Sequence, residues 1–99
     1  MKRVMVRYKV KPDQANENQR LVEQVYAELQ RNAPAGLRYA TFKQNDGVSF
    51  VHIASIETES GDNPLSQLPA FKAFQAQIKD RCTEPPVAVD LEEIGSYHF

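Results

Sequence analysis

The chain has a single cysteine, Cys82, in 99 residues, which excludes an intramolecular disulfide and fits a reducing compartment. It has no excess of either charge. Twelve Lys and Arg against 13 Asp and Glu leave a formal net charge of −1, without the clustered cations that drive binding to nucleic acid or anionic lipid. Neither partner is expected. No stretch has the charged start, apolar middle and small-residue cleavage site of a signal peptide, so a cytoplasmic protein is expected. Metal ligands are sparse as well, because His52, His98 and Cys82 show no ligand spacing and a zinc site normally takes three or four such residues. No metal and no cofactor are expected. Internal repeats, linkers and low-complexity segments are also missing, which leaves one domain spanning 1–99. A domain of this length buries only about 60–65% of its unfolded surface, so self-association would help it.

What is present is periodic. Val4, Val6, Tyr8 and Val10 alternate at period two, the mark of a half-buried strand. Pro12 ends it and suits a first helical turn, with Asp13 and Glu17 placed for the helix's positive end. Leu21, Val22, Val25, Tyr26 and Leu29 then form a helical stripe opposed by Glu17, Gln19, Arg20, Glu23, Gln24 and Glu28, and Pro34 and Gly36 stop the helix. Alternation returns from Leu37 to Lys43 and from Val48 to Ile56 around Asn45-Asp46-Gly47, which predicts a hairpin. A two-residue Asp46-Gly47 turn pairs Thr41 with His52, whereas a three-residue turn pairs Ala40 with His52; the first is preferred. Asn63-Pro64 reads as a cap and first residue of a short turn, and Pro69 to Arg81 as a helix with Phe71, Phe74 and Ile78 buried. Val87, Val89 and Leu91 alternate in a last strand with a bulge near Glu93 to Gly95.

Strand, helix, strand, strand, helix, strand with right-handed crossovers puts both helices on one face of a four-stranded antiparallel sheet, the ferredoxin-like α+β arrangement. The last strand then lies beside the first, so Arg3, Arg7 and Lys9 can face Asp90 and Glu92. The Val48 to Ile56 strand is apolar on both faces, with Val51 and Ile53 on one and Phe50, Ala54 and Ile56 on the other, the second extended by Met5 and Tyr39. A contiguous apolar surface of several hundred Å² is rare on a soluble monomer. Two sheets packed face to face as a symmetric homodimer would bury it; the plainer alternative is a patch smaller than it looks.

Three segments carry a resemblance. The strand Met5 to Val10 running into Lys11-Pro12, the Asp46-Gly47 hairpin leading to Phe50-Val51-His52, and Asn63-Pro64-Leu65 through Leu68-Pro69-Ala70-Phe71 together resemble the dimeric α/β-barrel superfamily. The likeness runs over nearly the whole chain and is nearest to small proteins grouped with the antibiotic biosynthesis monooxygenases. It implies two sheets joined as a dimeric barrel and a range of chemistries: cofactor-independent oxidation of aromatic polyketides, haem degradation, ring isomerisation and lyase reactions. The haem-degrading members hold iron through a helical histidine, which neither helix here has, and the quinone-forming members use a tryptophan that this chain lacks. No catalytic residue is carried over from either group.

The residues nominate their own candidates. His52, mid-strand beside Thr41 with Tyr39 and Phe50 near and Arg7 across the sheet, has the setting of a general base, with Tyr39 and Arg7 to stabilise an anion. A core or interface histidine satisfied by Thr41 or Tyr39 is the plainer reading. Arg7 can instead pair with Asp90 or Glu92. Tyr8, Tyr26, Phe71 and Phe74 can line a pocket for a flat aromatic ligand or be plain core. Tyr97, His98 and Phe99 either pack on a partner subunit or fray. Cys82 at the end of a helix is a poor nucleophile, because the negative dipole end raises a thiol pKa. Two functions follow: a homodimeric monooxygenase-like enzyme for a small aromatic or enolisable metabolite, or a non-catalytic ligand-binding or assembly module of the same fold.

Overall fold

A computed structural model describes all 99 residues. Strand β1 (Lys2–Val10) leads through a 3-10 turn at Pro12–Gln14 into helix α1 (Ala15–Asn32), followed by β2 (Leu37–Lys43) and β3 (Ser49–Ile56). A second 3-10 turn (Pro64–Gln67) precedes helix α2 (Pro69–Ala76), a single helical turn α3 (Ile78–Arg81) and β4 (Cys82–Leu91). The sheet is antiparallel in the order β2-β3-β1-β4, the ferredoxin-like arrangement.

Local chemistry accounts for the boundaries. Pro12 opens the first turn, and α1 ends where Ala33 takes a left-handed conformation and returns its N–H to the Leu29 carbonyl at 2.7 Å. Asn63 caps the second 3-10 turn, its side chain accepting from the Leu65 N–H at 3.0 Å. The hairpin has the preferred register, Thr41 against His52 and Tyr39 against Ala54. Its turn differs. The Gln44 N–H meets the Ser49 carbonyl at 2.8 Å, so four residues rather than two make the connection, and Asp46 accepts from the N–H groups of Val48 and Ser49 at 3.0 and 2.9 Å. Adding a residue to each side of the turn leaves the pairing unchanged.

The helix expected from Pro69 to Arg81 is broken at Gln77, whose backbone leaves the helical region. The break frees the Phe74 carbonyl, and the Arg81 guanidinium fills the vacancy, donating to it at 2.6 Å. The last strand starts earlier than expected, at Cys82, and its irregularity falls opposite Arg7 to Val10 rather than near Glu93. Pro85 and Pro86 lie in that stretch on the sheet's edge, where prolines without N–H groups are tolerated.

Pairing decides the faces. Tyr8 stands opposite Phe50, Val6 opposite His52 and Val4 opposite Ala54, so these share one face. That face packs under the helices in a core built from Tyr8, Val10, Val22, Val25, Phe50, Ala54, Leu65, Leu68 and Phe74. The expectation that Met5 extends it is corrected, for Met5 pairs with Ile53 and Val89 and lies on the other face. So does Arg7, between Val51 and Val87. The uncovered face therefore carries Met5, Val51, Ile53, Phe42, Val87, Val89 and Leu91 rather than Phe50, Ala54 and Ile56. Phe42 and Val87 are 53% and 60% exposed there, part of an apolar patch open to solvent. The expected pairing of basic β1 with Asp90 and Glu92 is also corrected: Asp90 lies opposite Val4, and the ion pairs are Arg3 to Glu93 at 2.7 Å and Lys9 to Glu84 at 3.9 Å. No helix is long and apolar enough to cross a membrane.

Candidate functional site

Between the helix-covered face and α2 lies a cavity of about 520 Å³. Its apolar walls include Val4, Val6, Ala54, Leu65, Phe71 and Phe74; Tyr8, Tyr39 and His52 make its polar end on the sheet, and Asn63, Ser66 and Gln75 add neutral polar groups on the helical side. No lining residue is an Asp, Glu, Lys or Arg. Alternation places the polar end, since Tyr8, His52 and Tyr39 occupy same-face positions on three adjacent strands.

The imidazole is engaged on both sides. Nε2 meets the Tyr8 hydroxyl at 2.8 Å, and Nδ1 meets the Tyr39 hydroxyl at 2.5 Å and Thr41 Oγ1 at 3.0 Å. Tyr26 reaches the same Thr41 oxygen at 2.8 Å and stacks on Tyr39 with ring centroids 5.3 Å apart. Behind Tyr8, Asn18 donates to its hydroxyl at 2.8 Å, and Arg81 Nε donates to Asn18 Oδ1 at 3.2 Å. The chain Arg81, Asn18, Tyr8, His52, Tyr39 and Thr41, Tyr26 thus runs unbroken through the core. No buried polar side-chain atom lacks a partner.

Burial sets the protonation. Desolvation pushes the His52 pKa down to about 4, so the ring is neutral near pH 7. It pushes the Tyr8 and Tyr39 hydroxyls well above the usual phenol range, outweighing Asn18 and Arg81 at Tyr8 and Thr41 at Tyr39, both of which act the other way. Tyr26 is raised by the same cause. Burial also raises the Cys82 thiol, in keeping with its reading as a poor nucleophile.

Of the nominated residues, Tyr8, Tyr39, His52, Phe71 and Phe74 come together around the cavity. Two do not. Arg7 lies on the far side of the sheet and is exposed, so it cannot reach an anion beside His52. Tyr26 is outside the lining, behind Tyr39, in a separate depression with Leu29, Ala33, Pro34 and Leu37. Both His52 ring nitrogens are engaged by protein hydroxyls, Nε2 by Tyr8 and Nδ1 by Tyr39 and Thr41. Sequence reasoning missed Asn18 and Arg81, both buried. Asn18 was recoverable, because it stands four and seven residues before Val22 and Val25 on the same helical stripe. Arg81 gave no such signal. No group of three or more His, Cys, Asp or Glu side chains is placed to hold a metal ion.

A four-stranded antiparallel sheet with helices on one face and a cavity between defines a ferredoxin-like chain with the fold of the antibiotic biosynthesis monooxygenases. Solved structures give that comparison its content. Rv0793 from Mycobacterium tuberculosis superposes with a TM-score of 0.77 at 19% identity, over 96% of each chain. A protein of Nitrosomonas europaea provisionally named an antibiotic biosynthesis monooxygenase does so at 0.78 and 16% identity, over 96% of this chain and all of the other. SnoaB, a cofactor-independent oxygenase from Streptomyces nogalater, superposes in its N63A form at 0.70 and 15% identity, over 99% of this chain and 97% of that one. At such identities the likeness is one of fold. No protein-family model matches the sequence, and no curated protein does.

Proposed function

We propose that this chain works as a cytoplasmic homodimer that holds a small, neutral, aromatic or enolisable ring in the cavity and oxidises it with molecular oxygen without a cofactor. The observation that carries the reading is the cavity's composition: apolar and aromatic walls converge on a tyrosine and a neutral histidine, and no lining side chain bears a charge. Rings such as hydroxylated anthrones have an acidic C–H beside a carbonyl. When that proton leaves to water, charge gathers on the ring oxygen, and the Tyr39 hydroxyl beside His52 is placed to meet it. The enolate then reduces oxygen directly. One oxygen atom ends in the new ring carbonyl, the other in water, and the ring methylene supplies the electrons, so no outside reductant enters. SnoaB, a cofactor-independent oxygenase on this fold, supports the reaction class. The uncovered apolar face, with Phe42, Val87 and Val89 exposed, supports face-to-face pairing of two copies.

One observation favours a second reading, a non-catalytic binding module: the protein's own groups satisfy every buried polar side-chain atom of the network. Oxygen uptake and quinone absorbance, followed together on hydroxylated anthrones, separate the two. The oxygenase reading expects one oxygen consumed per quinone formed and a rate that depends on Tyr39. Saturable binding without uptake above the protein-free rate selects the module, and no binding of any phenolic ring defeats both.

A further inference from the structure

We infer that Asn18 and Arg81, which lie outside the cavity lining, are positioning residues that fix His52 in the tautomer with its proton on Nδ1 and so turn the Tyr39 hydroxyl into a donor toward a ligand oxygen. The argument follows donors and acceptors in order. A guanidinium only donates, so the atom of Asn18 facing Arg81 Nε at 3.2 Å is the amide oxygen. The amide cannot then turn around, and its NH₂ points to the Tyr8 oxygen at 2.8 Å. Tyr8 has one hydrogen of its own, and its remaining partner is His52 Nε2 at 2.8 Å, so Nε2 accepts. A neutral imidazole has one N–H, which must therefore sit on Nδ1 and point at Tyr39 and Thr41. Tyr39 receives that hydrogen. Its own O–H is turned away from the ring and is free for Thr41 or for an oxygen in the cavity.

The arrangement has a fixed sense, from the cation outward. Arg81 is 6% exposed and takes part in no ion pair; Asn18 and the Phe74 carbonyl accept from it, and the Phe74 ring lies 5.4 Å from its carbon centre. An uncompensated buried cation is costly, and here it orients every hydrogen bond between itself and Tyr39. The network is built to offer a hydrogen bond to negative charge growing on a ligand, which is the opposite of a histidine poised to remove a proton.

The last step rests on the cavity being the ligand site; the tautomer does not, and the test keeps them apart. In ¹⁵N-labelled His98→Gln protein, where His52 is the sole histidine, two-bond ¹H–¹⁵N correlation spectra read the state of each ring nitrogen. The expected result near pH 7 is a protonated Nδ1 and a bare Nε2. Asn18→Asp changes one atom and replaces the donor facing Tyr8 by an acceptor, so Tyr8 should reverse, Nε2 should carry the proton, and Tyr39 should turn its hydrogen onto Nδ1. In that variant a phenolic ring should bind about tenfold more weakly. A protonated Nε2 in the unsubstituted Asn18 protein overturns the inference without any variant having to fold, and so does an Asn18→Asp spectrum with the proton still on Nδ1. If the tautomer is as expected and no phenolic ring binds, the ligand reading fails and Tyr39's donor role fails with it, while the fixed tautomer stands.

Discussion

Acid should begin to weaken this protein as pH falls below about 6.5, and His52 should be the cause. The ring titrates at about 4 when buried in the native chain and at its ordinary 6.5 when unfolding releases it. Between those values the unfolded chain binds a proton that the native chain refuses, so stability is full above pH 6.5 and falls as pH drops toward 4. That gap is worth about 3 kcal/mol in all, of which about 2 kcal/mol is lost by pH 5. Asp46 and Glu17, both held below their ordinary values of 3.8 and 4.5, lose their contributions only under more acid conditions, which leaves pH 5 to 7 to the histidine. Urea unfolding at fixed protein concentration, with His98→Gln as the parent and His52→Gln added, isolates the effect. Glutamine keeps hydrogen-bonding capacity without titrating, so whatever its stability at pH 7, its midpoint should stay nearly flat while the parent's falls. Parallel curves for the two proteins would refute a buried, neutral His52.

Tyr39→Phe should fold, because Thr41 remains to bond His52 Nδ1 at 3.0 Å, but should bind phenolic rings about tenfold more weakly in a fluorescence titration. Ile53→Lys, a charge in the middle of the uncovered face, should shift sedimentation to the single-chain mass and leave the far-ultraviolet spectrum unchanged. Gly36→Ala should cost about 1–3 kcal/mol in chemical denaturation, because φ is +78° and a Cβ would stand 2.7 Å from the Thr58 methyl. Gly47→Ala, at φ +76° with open space around it, carries the backbone cost alone and should lose less.

Much of the fold could be read in the sequence because it is written in short-range patterns. Val4, Val6, Tyr8 and Val10 declare a strand by their alternation, and the hairpin's turn residues narrow the pairing to two registers, of which the preferred one, Thr41 against His52, is formed. Which face Arg7 takes is not written locally. It follows from the pairing of β1 with β3, whose residues are some fifty positions apart, and a slip of one residue there would turn Arg7 toward His52. The Gln77 break was hidden for another reason: the Arg81 side chain, seven residues on, donates to the Phe74 carbonyl in place of a backbone N–H, while the residue types from Pro69 to Arg81 read as continuous helix. The site was legible at its polar end, where His52 and Tyr39 stand out, and in principle at Asn18, which shares the buried stripe of Val22 and Val25; it was illegible at Arg81, which looks like a member of a solvated helix until tertiary packing buries it.

The central claim, that the cavity between sheet and α2 receives a neutral phenolic ring with Tyr39 and His52 at its polar end, is tested most directly by amide and side-chain NMR shift mapping. A hydroxylated anthrone would be added to labelled protein under strict exclusion of oxygen, so that binding is seen without turnover. The account predicts saturable shifts centred on Tyr39, His52, Phe71 and Phe74. Shifts confined to Met5, Arg7, Ile53 and Val87 on the other side of the sheet, or none that saturate, would contradict it.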